Sequence, residues 1–285
     1  MLQSIKLVEC PRDAMQGWKK FIPTQTKIAY LNSLLQVGFD TLDCGSFVSS
    51  KAIPQMADTA QVISQVSLEK TSTKLLCIVA NERGAAEAML YSQISFVGFP
   101  FSVSPTFQMR NTNSSIEESF ERVQKIQALC LQHNKILVIY ISMGFGNPYG
   151  DKYDTQLVLK WVEKMVEMGI TIISIADTVG VATPLQVEQL MSNVIPAYPQ
   201  TEIGVHLHST PTNWQEKIEA ALTAGCLRFD GALKGIGGCP MANDDLVGNM
   251  DTELMIPYFK ARQKGVFINE AALAEASALA AKIFI

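Results

Sequence analysis

Short apolar runs and amphipathic stretches alternate along the whole chain, and this alternation restricts the fold more than any other feature. Eight runs read as strands: "SIKLVEC" (4–10), "TLDCGSF" (41–47), "KLLCIVA" (74–80), "ISFVGFPF" (94–101), "ILVIYIS" (136–142), "TIISIAD" (171–177), "IGVHLHS" (203–209) and "LRFDGAL" (227–233). Most are nearly continuous in apolar residues, the pattern of parallel strands covered on both faces. The segments between them have helical periodicity. One begins "SIEESFERVQKIQALCL", where Ser115 and Glu118 make a capping-box pair and Ile116, Phe120, Val123 and Gln127 follow one face. Another starts at Asp154, carries Leu157, Val158, Trp161 and Met165, and stops at Gly169. A third opens at Thr183–Pro184, an N-cap followed by proline at the first helical position. Eight strand-then-helix units spaced by about thirty residues predict an α/β chain folded as one TIM (β/α)8 barrel over residues 1–285. A doubly wound open sheet is the alternative. The tail "INEAALAEASALAAKIFI" predicts an extra C-terminal helix that packs across the barrel or against a partner, and a homodimer is the expected assembly.

Composition narrows the function classes. The chain has 285 residues, 48% of them hydrophobic and 18% charged, as in a soluble globular protein with a large core. The formal net charge is −4 and the basic residues are scattered, which argues against nucleic acid as a partner. The six cysteines form no CxxC pair; Cys10, Cys44 and Cys77 sit in apolar runs and read as reduced core thiols of a cytoplasmic protein. The start "MLQSIKLVEC" lacks a long apolar segment before a cleavage site, and no run reaches transmembrane length, so neither a secretory signal nor a membrane partner is expected.

Two of the three histidines, His206 and His208, lie one residue apart in "IGVHLHST" and alternate with Val205 and Leu207. A single strand with period two would aim both imidazoles at one face, where they could share a metal. In a barrel, function sits at the C-terminal ends of the strands. Those ends carry Arg12, Asp13 and Gln16 after strand 1, Asp43 in strand 2, Asp177–Thr178 after strand 6, and Cys239 and Asn249 after strand 8. Strands 7, 8 and 1 are consecutive in a closed barrel, so Asp13, His206, His208 and Asn249 fall on one arc of one rim. Two imidazoles, a carboxylate and an amide oxygen suit Mg²⁺ or Mn²⁺, with Zn²⁺ as a further option. In "KGIGGCPMAND", three glycines free the backbone for positive φ beside Cys239, which reads as a mobile catalytic thiol or as an incidental one in a glycine turn.

Taken together, "ECPRDAMQ" (9–16), "SFVSSKAIPQMAD" (46–58), "NSSIEESFER" (113–122), "ADTVGVATP" (176–184), "VHLHST" (205–210), "GIGGCPMA" (235–242) and "GN" (248–249) resemble the 3-hydroxy-3-methylglutaryl-CoA lyase family, within a superfamily of metal-dependent lyases and Claisen synthases. The resemblance spans nearly the whole chain. It implies Asp13, His206, His208 and Asn249 as metal ligands, Arg12 as the catalytic arginine, Cys239 as the catalytic loop cysteine, Asp43 as an active-site acid, and Asp13 or His206 as the general base. It also implies an acyl-CoA substrate, cleavage to acetoacetate and acetyl-CoA, and a place in leucine degradation and ketone-body formation. Several positions depart from the pattern. Asp43 stands where the family usually has glutamate, Ser209 replaces an aspartate, Met241 replaces a tyrosine, and the stretch from Cys239 to Asn249 is one residue longer.

A Claisen-type synthase or a lyase for a related 3-hydroxyacyl-CoA is the alternative on the same barrel. A biotin-dependent carboxyltransferase would need a metal-binding lysine where Ala176 stands. An inactive barrel used as a binding protein is disfavoured by the retained Arg12, metal set and Cys239.

Overall fold

The structure, a computed structural model, describes residues 3–238 and 247–285. Eight parallel strands close into a barrel: β1 (Lys6–Glu9), β2 (Thr41–Ser46), β3 (Lys74–Ile78), β4 (Ile94–Ser102), β5 (Ile136–Ser142), β6 (Ile172–Ala176), β7 (Glu202–His206) and β9 (Arg228–Gly231). The longest register runs from Phe96↔Ile136 to Ser102↔Ser142, and closure is made by β1 on β9, from Lys6↔Arg228 to Glu9↔Gly231. The TIM barrel expected from the alternation is thus present, and the open sheet is not.

Period two sorts each strand between two cores. Leu75 and Cys77, Val97 and Phe99, and Leu137 and Ile139 pack outward against the helices. Leu76 and Ile78, Phe96, Val138 and Tyr140, and Ile172 form a smaller cluster of their own inside the barrel. Gly98 is required there, because a Cβ would come within 2.5 Å of Ile78 Cδ1 and 3.2 Å of Tyr140 Cε2.

The helices start where the sequence marks them. The capping box at Ser115 opens α6 (Ile116–Gln132), Asp154 accepts from the Leu157 amide to open α7 (Thr155–Glu167), and Thr183 does the same with Gln186 for α8 (Pro184–Ala197). The C-terminal helix α11 (Glu270–Ile283) buries Ala272, Ala276 and Ala280, one residue per turn, and packs on α2 (Thr24–Leu35). Phe284 then sets its ring edge-on to Trp18 at 5.3 Å and to Tyr30 at 6.2 Å. No helix among the described residues is long and apolar enough to cross a membrane.

One strand differs from its sequence reading. The run 203–209 is not a single strand: β7 ends at His206, and β8 (His208–Ser209) leaves the barrel to pair antiparallel with β10 (Gly248–Asn249). The chain bends at Leu207, so the strand alternation does not by itself bring the two imidazoles together. Cys10, read as the end of strand 1, is the residue that precedes α1 (Pro11–Gln16).

Candidate active site

The short helix α1 follows β1 with no intervening loop and lifts Arg12 and Asp13 onto the C-terminal rim. Asp43 rises from the adjacent strand β2, whose register sets Thr41 and Leu42 beside Val8 and Glu9. It holds Arg12 from behind: the guanidinium Nε donates to both Asp43 oxygens at 3.1 and 3.2 Å, and Nη2 donates to Oδ2 at 2.5 Å. Arg12 Nη1 donates to Asp13 Oδ1 at 3.1 Å, and Gln16 donates to the same oxygen at 2.7 Å. Burial opposes a charge on Arg12, but Asp43 and Asp13 outweigh it, so the guanidinium stays cationic. Burial alone would raise Asp13, and the surrounding Arg12, His206, His208 and Asn249 reverse it, bringing its carboxyl down to about 2. For Asp43 burial prevails and its carboxyl is raised, with Arg12 the main opposing influence.

The imidazoles arrive from two elements yet meet. His206 Nε2 and His208 Nε2 are 3.2 Å apart, with the rings inclined at 55°. Asp230, on the barrel face of β9, accepts from His206 Nδ1 at 3.1 Å, which fixes the tautomer and turns Nε2 toward His208. Burial would lower His206; Asp230 more than offsets this and raises it. His208 is lowered to about 3, first by burial and then by His206, so its imidazole is neutral at ordinary pH. Asn249 Nδ2 donates to Asp13 Oδ2 at 2.7 Å and to the Ile236 carbonyl at 2.9 Å.

These groups can hold a cation. Ligand atoms of Asp13, His206 and His208 lie within 4.8 Å of one another. Two ring nitrogens face each other where a pair of neutral imidazoles can share at most one proton. The buried Asn249 Oδ1 has no hydrogen-bond partner among the described residues. A cation between it and the two imidazoles would give this oxygen a partner. The nitrogen and oxygen donors of Asp13, His206, His208 and Asn249 suit a hard or borderline divalent ion; Cys10, which lies near His206 and Asp230, is buried and burial pushes its thiol up, so it offers no thiolate to the set.

Arg12, Asp13, His206 and His208 line a cavity of about 340 Å³. Its other walls include Val48, Ile53, Ile78, Pro100 and Phe107, and Arg110 adds a further cation at the lining. Asp43 is 1% exposed and does not line the cavity; the structure places it on Arg12 instead of facing a ligand. Six of the seven residues singled out in the sequence therefore converge. The seventh, Cys239, lies outside the described residues, as does Met241. The cysteines expected to be core thiols are buried: Cys10, Cys44 and Cys77, and also Cys130 and Cys226.

Sequence reasoning missed Asp230. The signal was present: Arg228 and Asp230 are two charges at period two in an otherwise apolar strand, which puts both on one face of the barrel.

The HMGL-like family model matches residues 5–280. The cytoplasmic 3-hydroxy-3-methylglutaryl-CoA lyase of Rattus norvegicus is 34% identical over 253 residues, 88% of this chain and 73% of that protein. The 3-hydroxy-3-isohexenylglutaryl-CoA/hydroxymethylglutaryl-CoA lyase of Pseudomonas aeruginosa is 32% identical over 88% of this chain and 83% of its own length. An HMG-CoA lyase from Acinetobacter baumannii, solved in complex with coenzyme A and 3-methylmalate, superposes with a TM-score of 0.91 at 29% identity, covering 99% of this chain and 91% of that one. The family match and the shared barrel agree over almost the full length, and the chain belongs to the HMGL-like family and is a lyase.

Proposed function

We propose that this protein cleaves 3-hydroxy-3-methylglutaryl-CoA to acetoacetate and acetyl-CoA, with a divalent cation, Mg²⁺ or Mn²⁺, held by Asp13, His206, His208 and Asn249. The observation that carries the proposal is the convergence of three ligand atoms within 4.8 Å beside a buried cationic guanidinium on one cavity wall. The reaction removes a proton from a tertiary hydroxyl, breaks the bond between C2 and C3, and leaves an enolate on the thioester, whose carbon is then protonated. A divalent cation held by Asp13, His206, His208 and Asn249 would lower the pKa of the substrate hydroxyl.

The chain's own groups do the rest. Asp13, held ionised, and His206, backed by Asp230, are the two groups that can take the hydroxyl proton. Arg12 lines the cavity with its charge fixed, and it stabilises the enolate oxygen as negative charge develops there. Asp43 acts through Arg12: gripping Nε and Nη2 holds the guanidinium plane in place before substrate arrives. Cys239 returns a proton to the enolate carbon. Val48, Ile53 and Phe107 give part of the lining an apolar surface for the acyl chain, and Arg110 at the same lining can meet an anionic part of an acyl-CoA.

The test is direct. Purified protein with Mg²⁺ and 3-hydroxy-3-methylglutaryl-CoA is expected to release acetoacetate, and EDTA is expected to abolish the release. His206→Ala and His208→Ala are expected to lose turnover with the barrel intact by circular dichroism. Full activity of protein stripped of metal refutes the cation, and absence of acetoacetate with either metal refutes the substrate. Light scattering tests the homodimer that completes the proposal.

A further inference from the structure

A lysine with its ammonium sealed in the core lies directly beneath the site. Lys217, on α9 (Trp214–Thr223), is 1% exposed. An ammonium has three N–H donors, and each has an acceptor here: Asp177 Oδ2 at 2.8 Å, the Gly180 carbonyl at 3.1 Å and the His208 carbonyl at 2.8 Å. Burying this charge is costly unless it is paired and its donors are satisfied, and both conditions are met. Asp177 is itself anchored, since its Oδ1 accepts from the Ala182 amide at 3.0 Å.

Any buried ammonium needs acceptors for all three donors; what distinguishes this one is where they lie. The third hydrogen bond goes to the peptide of His208, just where the chain leaves the barrel. β7 has ended at His206, so its ladder to β6 stops there and no longer fixes His208. Three contacts replace it: the two-residue ladder that sets His208 opposite Asn249, the Val247 backbone hydrogen-bonded to the His208 ring, and the ammonium on the His208 carbonyl. We propose that Lys217 is a positioning residue for the cation site: from the core it fixes the His208 peptide, which aims Nε2 at His206 and keeps Asn249 in register. The inference rests on His208 being a cation ligand.

The test measures Mn²⁺ binding without turnover, from the electron paramagnetic resonance signal of the free ion. Three proteins are compared: wild type, Lys217→Met, and the double variant Asp177→Asn with Lys217→Met. The double variant removes one charge of each sign and keeps an acceptor for the Ala182 amide, so net charge near the cation is unchanged. The single variant serves if the double variant does not fold. Partners that orient metal ligands typically contribute about 10- to 100-fold in affinity. The dissociation constant is expected to rise at least about tenfold in both variants, with circular dichroism unchanged. A lower melting temperature in EDTA with a Mn²⁺ dissociation constant within twofold of wild type would mean that Lys217 only packs the core, and the inference falls while the cation reading stands. Wild type that binds no Mn²⁺ at millimolar concentration overturns the cation reading and this inference with it.

Discussion

Glu9 offers a prediction with a calculable size. It is fully buried at the end of β1, where Oε1 accepts from the Leu233 amide at 2.7 Å and Oε2 from the Thr252 hydroxyl at 2.6 Å. Burial lifts its pKa from 4.5 to about 8; the two hydrogen bonds pull the other way, and Asp251 and Glu253 add a smaller push upward. In the unfolded chain Glu9 loses its proton near 4.5, whereas the folded chain keeps it until about pH 8. Between those values the folded state binds the extra proton, so this residue's stabilisation is complete below 4.5 and is lost as pH rises through about 8. At about 1.36 kcal/mol per pKa unit, the gap from 4.5 to about 8 is worth about 4 to 5 kcal/mol. Glu9→Gln copies the protonated shape and does not titrate. Melting curves in EDTA are expected to give the two proteins similar midpoints at pH 4.5. At pH 8.5 the variant is expected to melt higher by about 10 °C, at roughly 2 to 4 °C per kcal/mol for a chain of this size. Midpoints that stay parallel across the window refute a protonated Glu9.

Three further outcomes are expected. Arg12→Lys keeps the charge but not the planar fork, so kcat is expected to fall about 100- to 1,000-fold with little change in KM; a change in KM alone would make Arg12 a substrate anchor. Iodoacetamide is expected to label Cys239 first and to inactivate, with substrate protecting, because the other five thiols are buried; labelling of Cys130 or Cys226 first without loss of activity counts against a catalytic Cys239. Asp43→Glu adds one methylene to a buried acid, and the Arg12 stem can retract to keep the pair, so kcat/KM for 3-hydroxy-3-methylglutaryl-CoA is expected to change by less than about tenfold. A wild type inactive on that substrate beside an active Asp43→Glu variant would point to a different 3-hydroxyacyl-CoA.

The barrel was readable because parallel strands buried on both faces leave long apolar runs, and because the helix starts at Ser115, Asp154 and Thr183 are written in local hydrogen bonds. The rim residues were readable for a related reason: polar groups at the ends of apolar strands stand out. What stayed hidden depends on partners distant in sequence. Nothing near Glu9 announces that its acceptors serve Leu233 and Thr252, 224 and 243 residues away. Lys217 looks like any lysine on an amphipathic helix until the fold closes over it. Strand 7 misled for a different reason. The alternation of Val205, His206, Leu207 and His208 is genuine, but the barrel ladder ends at His206 and His208 pairs instead with Asn249, a partner distant in sequence that no local pattern announces.

The two-residue ladder between β8 and β10 has a consequence for how such a chain can vary. One stem of the segment that carries Cys239 is tied at Leu233 by Glu9, and the other is tied at Gly248 and Asn249 by Ser209 and His208. The ladder itself therefore holds Asn249 opposite His208. A substitution at Ser209 or Gly248 that weakens their pairing is felt at both donors at once, so these four positions are constrained as one unit and not one by one.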